Sequence, residues 1–158
     1  MRVEQLMTKQ VQCCRPEDTL EYAAQMMWDH DCGCLPVCGG NGSIKIVGMI
    51  TDRDITMCAL FQGKPLRELC VSEAMARDVL TCRPGDSLAD AEKIMGQGKI
   101  RRLPVVDKEE SLIGMISLAD LAQEAARERT ARTQEITETE VGDTLAAICK
   151  PTDSLLAA

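Results

Sequence analysis

Two four-residue stretches hold the side chains best placed to do chemistry: Thr51-Asp52-Arg53-Asp54 and Ser117-Leu118-Ala119-Asp120. Each sets a hydroxyl at one position and a carboxylate three residues later, directly after a Gly-Met-Ile run, Gly48-Met49-Ile50 or Gly114-Met115-Ile116. At the mouth of a helix, such a hydroxyl lies beside unsatisfied backbone N–H groups and the positive end of the helix dipole, where a phosphate is stabilised. The carboxylate can accept two hydrogen bonds from the cis-diol of a ribose. The same pattern is also an ordinary capping box, which satisfies orphan amides without any ligand. A ligand becomes the better reading because the pattern occurs twice in the same context.

Arg101 and Arg102 stand just before Leu103-Pro104. Guanidinium groups suit phosphate because they offer bidentate donors, though two solvated charges at a strand edge would read the same way. The corresponding positions of the first copy are Gly33 and Cys34, so two sites built this way are unequal. Arg53 can supply a charge to the first, but its counterpart is Ala119. A separate cluster, His30, Cys32, Cys34 and Cys38, has the ligand types of a zinc or redox-thiol site. Against it, these residues take places that ordinary strand residues occupy in the other copy, and no second Cys-x-x-Cys knuckle completes a site.

The elements that must position these groups come in two copies. At one constant offset Met7 meets Met75, Cys14-Arg15-Pro16 meets Cys82-Arg83-Pro84, Leu20 meets Leu88, Met27 meets Met95, and Leu35-Pro36-Val37 meets Leu103-Pro104-Val105. After a loop two residues shorter in the second copy, Asp54 meets Asp120. A series this long in consistent order is an internal duplication. In each copy the pattern predicts a helix on the Leu20, Ala23, Met27 or Leu88, Ala91, Met95 stripe. Two short strands follow, turning at Gly-Gly-Asn-Gly in the first copy, and a second helix then opens at Thr51 or Ser117. A lone copy has a marginal core, so two copies packed together are expected. Beyond Gln123 the sequence reads as a charged helix fraying into an acidic, flexible tail, with one more helical turn at Leu145–Cys149 before Pro151.

Composition narrows the function. The chain has 158 residues and a net charge of −7, with aromatics at 2%. An acidic surface repels a phosphate backbone, and few rings are available to stack bases, which argues against a nucleic-acid binder. No signal peptide or long apolar stretch is present, so a cytoplasmic protein off the membrane is expected. The nine cysteines are odd in number and irregularly spaced, which favours reduced thiols.

Taken together, Met7-Thr8, Pro16 before a helix, Leu35-Pro36-Val37 and the run Val47–Asp54, with Gly98–Asp107 and Gly114–Asp120 in the second copy, resemble a tandem pair of bacterial CBS domains, a Bateman module. The resemblance implies a mixed α+β or α/β fold of two pseudo-symmetric repeats, each a small sheet with two helices. It places the repeats at 3–63 and 71–126, with 127–158 as a C-terminal helix and tail. It also implies a regulatory module, not an enzyme, that binds AMP, ADP, ATP or S-adenosylmethionine in an inter-repeat cleft. The family has no catalytic residues and needs no cofactor, although Mg2+ can accompany a nucleotide. Carried over residue by residue, the site comprises Thr51, Asp54, Ser117, Asp120, Arg101, Arg102 and Arg53, with Val11, Val79 and Pro104 beside them. A homodimer is expected, resting on the Leu20, Ala23, Ala24, Met27 stripe, and the output goes to a separate effector protein. Two further readings stay open: a thiol or metal sensor on the cysteine cluster, and a structural dimerisation unit with empty clefts.

Overall fold

A computed structural model describes residues 1–39 and 44–151; most of the Gly-Gly-Asn-Gly turn and the last seven residues lie outside the described residues. In chain order the elements are α1 (Val3–Leu6), α2 (Leu20–Asp29), β1 (Cys34–Gly39), β2 (Lys45–Thr51), α3 (Asp52–Gln62), α4 (Val71–Ala74), α5 (Leu88–Gly98), β3 (Arg102–Val106), β4 (Leu112–Ser117), α6 (Leu118–Glu128) and α7 (Glu138–Cys149). A 3-10 turn, Leu66–Glu68, precedes α4.

The chain divides into two compact units. The first comprises Val11–Val79 with Lys108–Leu112. Here α2 starts on Thr19, whose side chain accepts a hydrogen bond from the Tyr22 N–H, and it buries Leu20, Ala23 and Met27. β1 and β2 pair antiparallel with Leu35 opposite Ile50 and Val37 opposite Gly48, and a bulge follows Val37. Cys14 adds a parallel bridge to Val37, its N–H donating to the Pro36 carbonyl (3.1 Å). The core is Leu20, Leu35, Val37, Ile50, Ile55 and Leu69. α4 closes this unit: the Val71 N–H donates to the Asp18 carbonyl (2.8 Å) and the Ser72 N–H to the Pro16 carbonyl (2.9 Å).

The second unit comprises Met1–Gln10, Leu80–Asp107 and the described residues from Ile113 onward. It repeats these devices at the duplicated positions. α5 starts on a capping box of Ser87 and Asp90 and buries Leu88, Ala91 and Met95. β3 pairs with β4, and Cys82 bridges to Val105. The short helix that closes this unit is α1, whose Val3 N–H donates to the Asp86 carbonyl and Glu4 N–H to the Pro84 carbonyl (3.0 Å each). Each compact unit is therefore closed by the short helix that leads into the other repeat.

Gly48 and Gly114 show why glycine precedes both Met-Ile pairs. Beside them Met49 pairs with Ala76 and Met115 with Thr8. A Cβ on Gly48 would come within 2.9 Å of the Ala76 carbonyl oxygen, and one on Gly114 within 3.0 Å of that of Thr8. Such an approach leaves no room for a side chain.

The structure departs from the sequence reading in two places. The expected fraying tail contains α7, twelve residues long, which lies on α5 and α6. Thr137 and Glu140 form its capping box, and Ile136 and Ile148 are buried. In addition, Leu20, Ala23 and Met27 of the expected dimer stripe are buried in their own unit and only Ala24 is half-buried, so the stripe leaves little free apolar surface. The large apolar side chains left exposed in that unit are Tyr22, Trp28, Ile44, Val47, Leu60 and Phe61.

Candidate functional site

Both strand-to-helix junctions have the same geometry. The Thr51 N–H and hydroxyl both donate to Asp54 Oδ2 (2.9 and 2.7 Å), and the Asp54 N–H donates back to Thr51 Oγ1 (3.1 Å). The Ser117 N–H and hydroxyl both donate to Asp120 Oδ2 (2.8 and 2.6 Å), and the Asp120 N–H donates back to Ser117 Oγ (3.2 Å). The first amide of each helix is also taken: Asp52 N–H donates to the Gly33 carbonyl (3.2 Å) and Leu118 N–H to that of Arg101 (2.9 Å). These bonds tie the start of β1 to α3 and the start of β3 to α6.

Capping alone does not mark a ligand site, because Ser87 with Asp90 and Thr137 with Glu140 form the same box away from any strand end. All four boxes place both capping bonds on a single carboxylate oxygen, and the two junctions differ in sitting at the end of a strand. Both capping bonds fall on Oδ2, and neither Oδ1 of Asp54 nor that of Asp120 has a hydrogen-bond partner among the described residues. A capping role and an acceptor role toward a ligand are therefore compatible.

The surroundings of the two junctions are opposite in charge. In the second unit a cavity of about 400 Å³ is lined by Arg101, Arg102, Ser117 and the α6 residues Leu118, Ala119 and Ala122, with Val141 and Leu145 of α7 on another side. Neither guanidinium has a partner among the described residues. In the first unit a cavity of about 500 Å³ is lined by Asp31, Asp52, Trp28, Cys32, Gly33 and Thr56, among others. There the second helical amide is blocked, since the Arg53 N–H donates to Asp52 Oδ1 (2.7 Å). Asp31 and Lys99 occupy the same repeat position and share a left-handed backbone, with φ of 48° and 52°. A negative side chain in one copy thus replaces a positive one in the other.

The cavities gather only part of the expected set. Arg101, Arg102 and Ser117 share one; Thr51, Asp54, Asp120 and Arg53 line neither. Pro104 is buried in β3, where its carbonyl accepts from the Cys82 N–H (3.0 Å). Val11 and Val79 are half-buried at the two ends of the first unit, so neither belongs to the unit of Ser117 and Asp120. Sequence reasoning missed Val141 and Leu145. The signal was Thr137-x-x-Glu140, a capping box followed by Val141, Leu145 and Ile148 at helical spacing.

The cysteine cluster does not assemble. Among the described residues no three His, Cys, Asp or Glu side chains converge as a metal requires. Cys34 and Cys38 are buried in β1, while His30 ends α2. Burial pushes the Cys38 thiol up to about 12, and the neighbouring Cys13 adds to the effect. Burial does the same to Cys14, helped by Asp18, and to Cys82, helped by Asp86. Thiols held in this state are poor nucleophiles and poor ligands. No helix among the described residues is long and apolar enough to cross a membrane.

A family model for the CBS domain matches the chain twice, over residues 3–59 and 71–127. The chain is 41% identical over 120 residues to the CBS domain-containing protein YhcV of Bacillus subtilis, covering 76% of this chain and 82% of that protein. Among solved structures, it is similar to Hypoxic Response Protein I with two coordinated zinc ions, with TM-score 0.70 and 30% identity over 78% of this chain and 98% of that one. It is also similar to the CBS domain pair of protein MJ0100 in complex with 5′-methylthioadenosine and S-adenosyl-L-methionine, with TM-score 0.67 and 27% identity over 78% of this chain and 94% of that one.

Proposed function

The chain belongs to the CBS-domain family and carries the domain twice, as a Bateman module, and on that premise we propose that it is a cytoplasmic regulatory module that binds an adenosine-type nucleotide. AMP, ADP, ATP and S-adenosylmethionine are the candidate ligands, and occupancy is passed to a separate effector protein. The observation that carries the reading is the pair of unpartnered guanidiniums, Arg101 and Arg102, beside the Ser117–Asp120 junction of a chain with a net charge of −7. Two adjacent cations held without counter-charge are suited to phosphate. The adenosine ligands of the MJ0100 domain pair support the ligand class. In this reading Asp120 and Asp54 receive ribose hydroxyls on Oδ1, Ser117 and Thr51 steady the carboxylates, and Arg53 contributes charge at the weaker first junction. Val11, Val79 and Pro104 supply apolar and backbone surroundings.

The test is calorimetric titration with AMP, ATP and S-adenosylmethionine on the wild-type chain, Asp54→Asn and Asp120→Asn, alongside thermal melts. If Oδ1 serves a ribose, each change weakens its site by about 1.5 to 3 kcal/mol, ten- to a hundredfold. If the carboxylate only caps its helix, the change costs about 0.5 to 1 kcal/mol of stability and affinity stays where it was. That second outcome overturns the assignment.

A further inference from the structure

The family match ends at residue 127, yet the cavity beside Arg101 and Arg102 has a wall from beyond it. Val141 and Leu145 of α7 face that space, half-buried and 43% exposed respectively. Several contacts seat α7 there. Gly96 of α5 packs against the Ala147 side chain, where a Cβ on the glycine would make an ordinary contact at 3.4 Å and a larger side chain would meet α7. The Thr144 hydroxyl donates to Glu92 Oε1 (3.2 Å), and Lys99 Nζ donates to the Lys150 and Pro151 carbonyls at the helix end (3.0 and 3.4 Å). The other repeat provides an internal comparison: Trp28 stands at the position of Gly96 and is 84% exposed, and Asp31 stands at that of Lys99. Trp28 would fill the space that α7 takes beside Gly96, and Asp31 has no cation to donate to the carbonyls at such a helix end.

We propose that α7 is part of the ligand site of the second unit, with Val141 and Leu145 forming the apolar wall against which an anionic ligand held by Arg101 and Arg102 rests. This deepens the nucleotide reading above and rests on it. Coupling between the two events is then reciprocal: a docked α7 tightens the ligand, and the ligand tightens α7 on α5 and α6 by the same factor. Ligand occupancy would thereby alter the stability of an element that the repeats themselves lack, which offers a route for output to a partner.

The experiment uses the full chain, with ATP and AMP as probes. Val141→Ser/Leu145→Ser is expected to weaken ATP about three- to tenfold, by removing apolar surface from the wall. In the wild type, ATP is expected to slow hydrogen exchange at amides 141–149 by a similar factor. The exchange measurement stands alone if the double variant does not fold. Wild-type binding that depends on Arg102, with α7 exchange unchanged by ATP, overturns the proposal and leaves the nucleotide reading intact. A wild type that binds neither ATP nor AMP overturns both.

Discussion

A capping carboxylate uses one oxygen where it has two. At both junctions Oδ2 takes the backbone N–H and the hydroxyl, so a residue that sequence reasoning had to leave between two roles can fill both. The residue types and spacing were therefore legible, but which oxygen remains open depends on side-chain rotation that no spacing encodes. The cysteines show the same limit: their ligand chemistry was visible in the sequence, and their burial in strands was visible only through the repeat alignment. A consequence can be checked with iodoacetamide on native protein at mildly alkaline pH. Cys149, exposed at the end of α7, is expected to react first. Cys14, Cys38 and Cys82, with thiols pushed up to about 12, are expected to react only on unfolding. Rapid native modification of Cys38 would revive the thiol-sensor reading.

Helices and strands with strong apolar periods, α2, α5 and both hairpins, follow the sequence because propensity, capping and burial agree there. Of α7 only the last turn, Leu145–Cys149, was read from the sequence, because its first turn, Glu138 to Val141, is acidic and its apolar residues are sparse; packing on α5 and α6 supports the whole helix. That packing buries a carboxyl. Glu92 is nearly buried beneath Thr144, and its pKa is raised above the ordinary 4.5 by burial and by Glu140, against the opposing hydrogen bond from Thr144. The native state thus holds this proton to higher pH than the unfolded chain does. Its contribution to stability is complete below about pH 4.5 and is lost as pH rises through the raised native value. Glu92→Gln keeps an acceptor for the Thr144 hydroxyl and removes the titration. The melting temperature of the variant relative to wild type is therefore expected to climb as pH rises from about 4.5 and then level off. A constant difference across that range would mean that Glu92 titrates normally and that α7 does not cover it.

At the scale of the molecule, duplication fixes the backbone and leaves the side chains free to diverge. The two junctions share hydrogen bonds residue for residue, yet the repeat positions of Arg101, Arg102 and Lys99 hold Gly33, Cys34 and Asp31 in the first copy, and Asp52 fills the helix end that Leu118 leaves open. A phosphate at the first junction would meet Asp31 and Asp52 in place of cations, and each such like-charge approach opposes binding. Calorimetry with ATP is therefore expected to give one tight event and a second that is weaker by at least about tenfold. Arg102→Ala should weaken the tight event and cost ATP more than AMP, and AMP more than adenosine, because its charge acts on the phosphates. Raising the salt concentration should narrow the gap between ATP and adenosine, since the difference between them is largely Coulombic. Two equal affinities, or a loss on Arg102→Ala that is the same for adenosine as for ATP, would show that the arginine pair does not read phosphate and that the charge inversion between the repeats serves some other end.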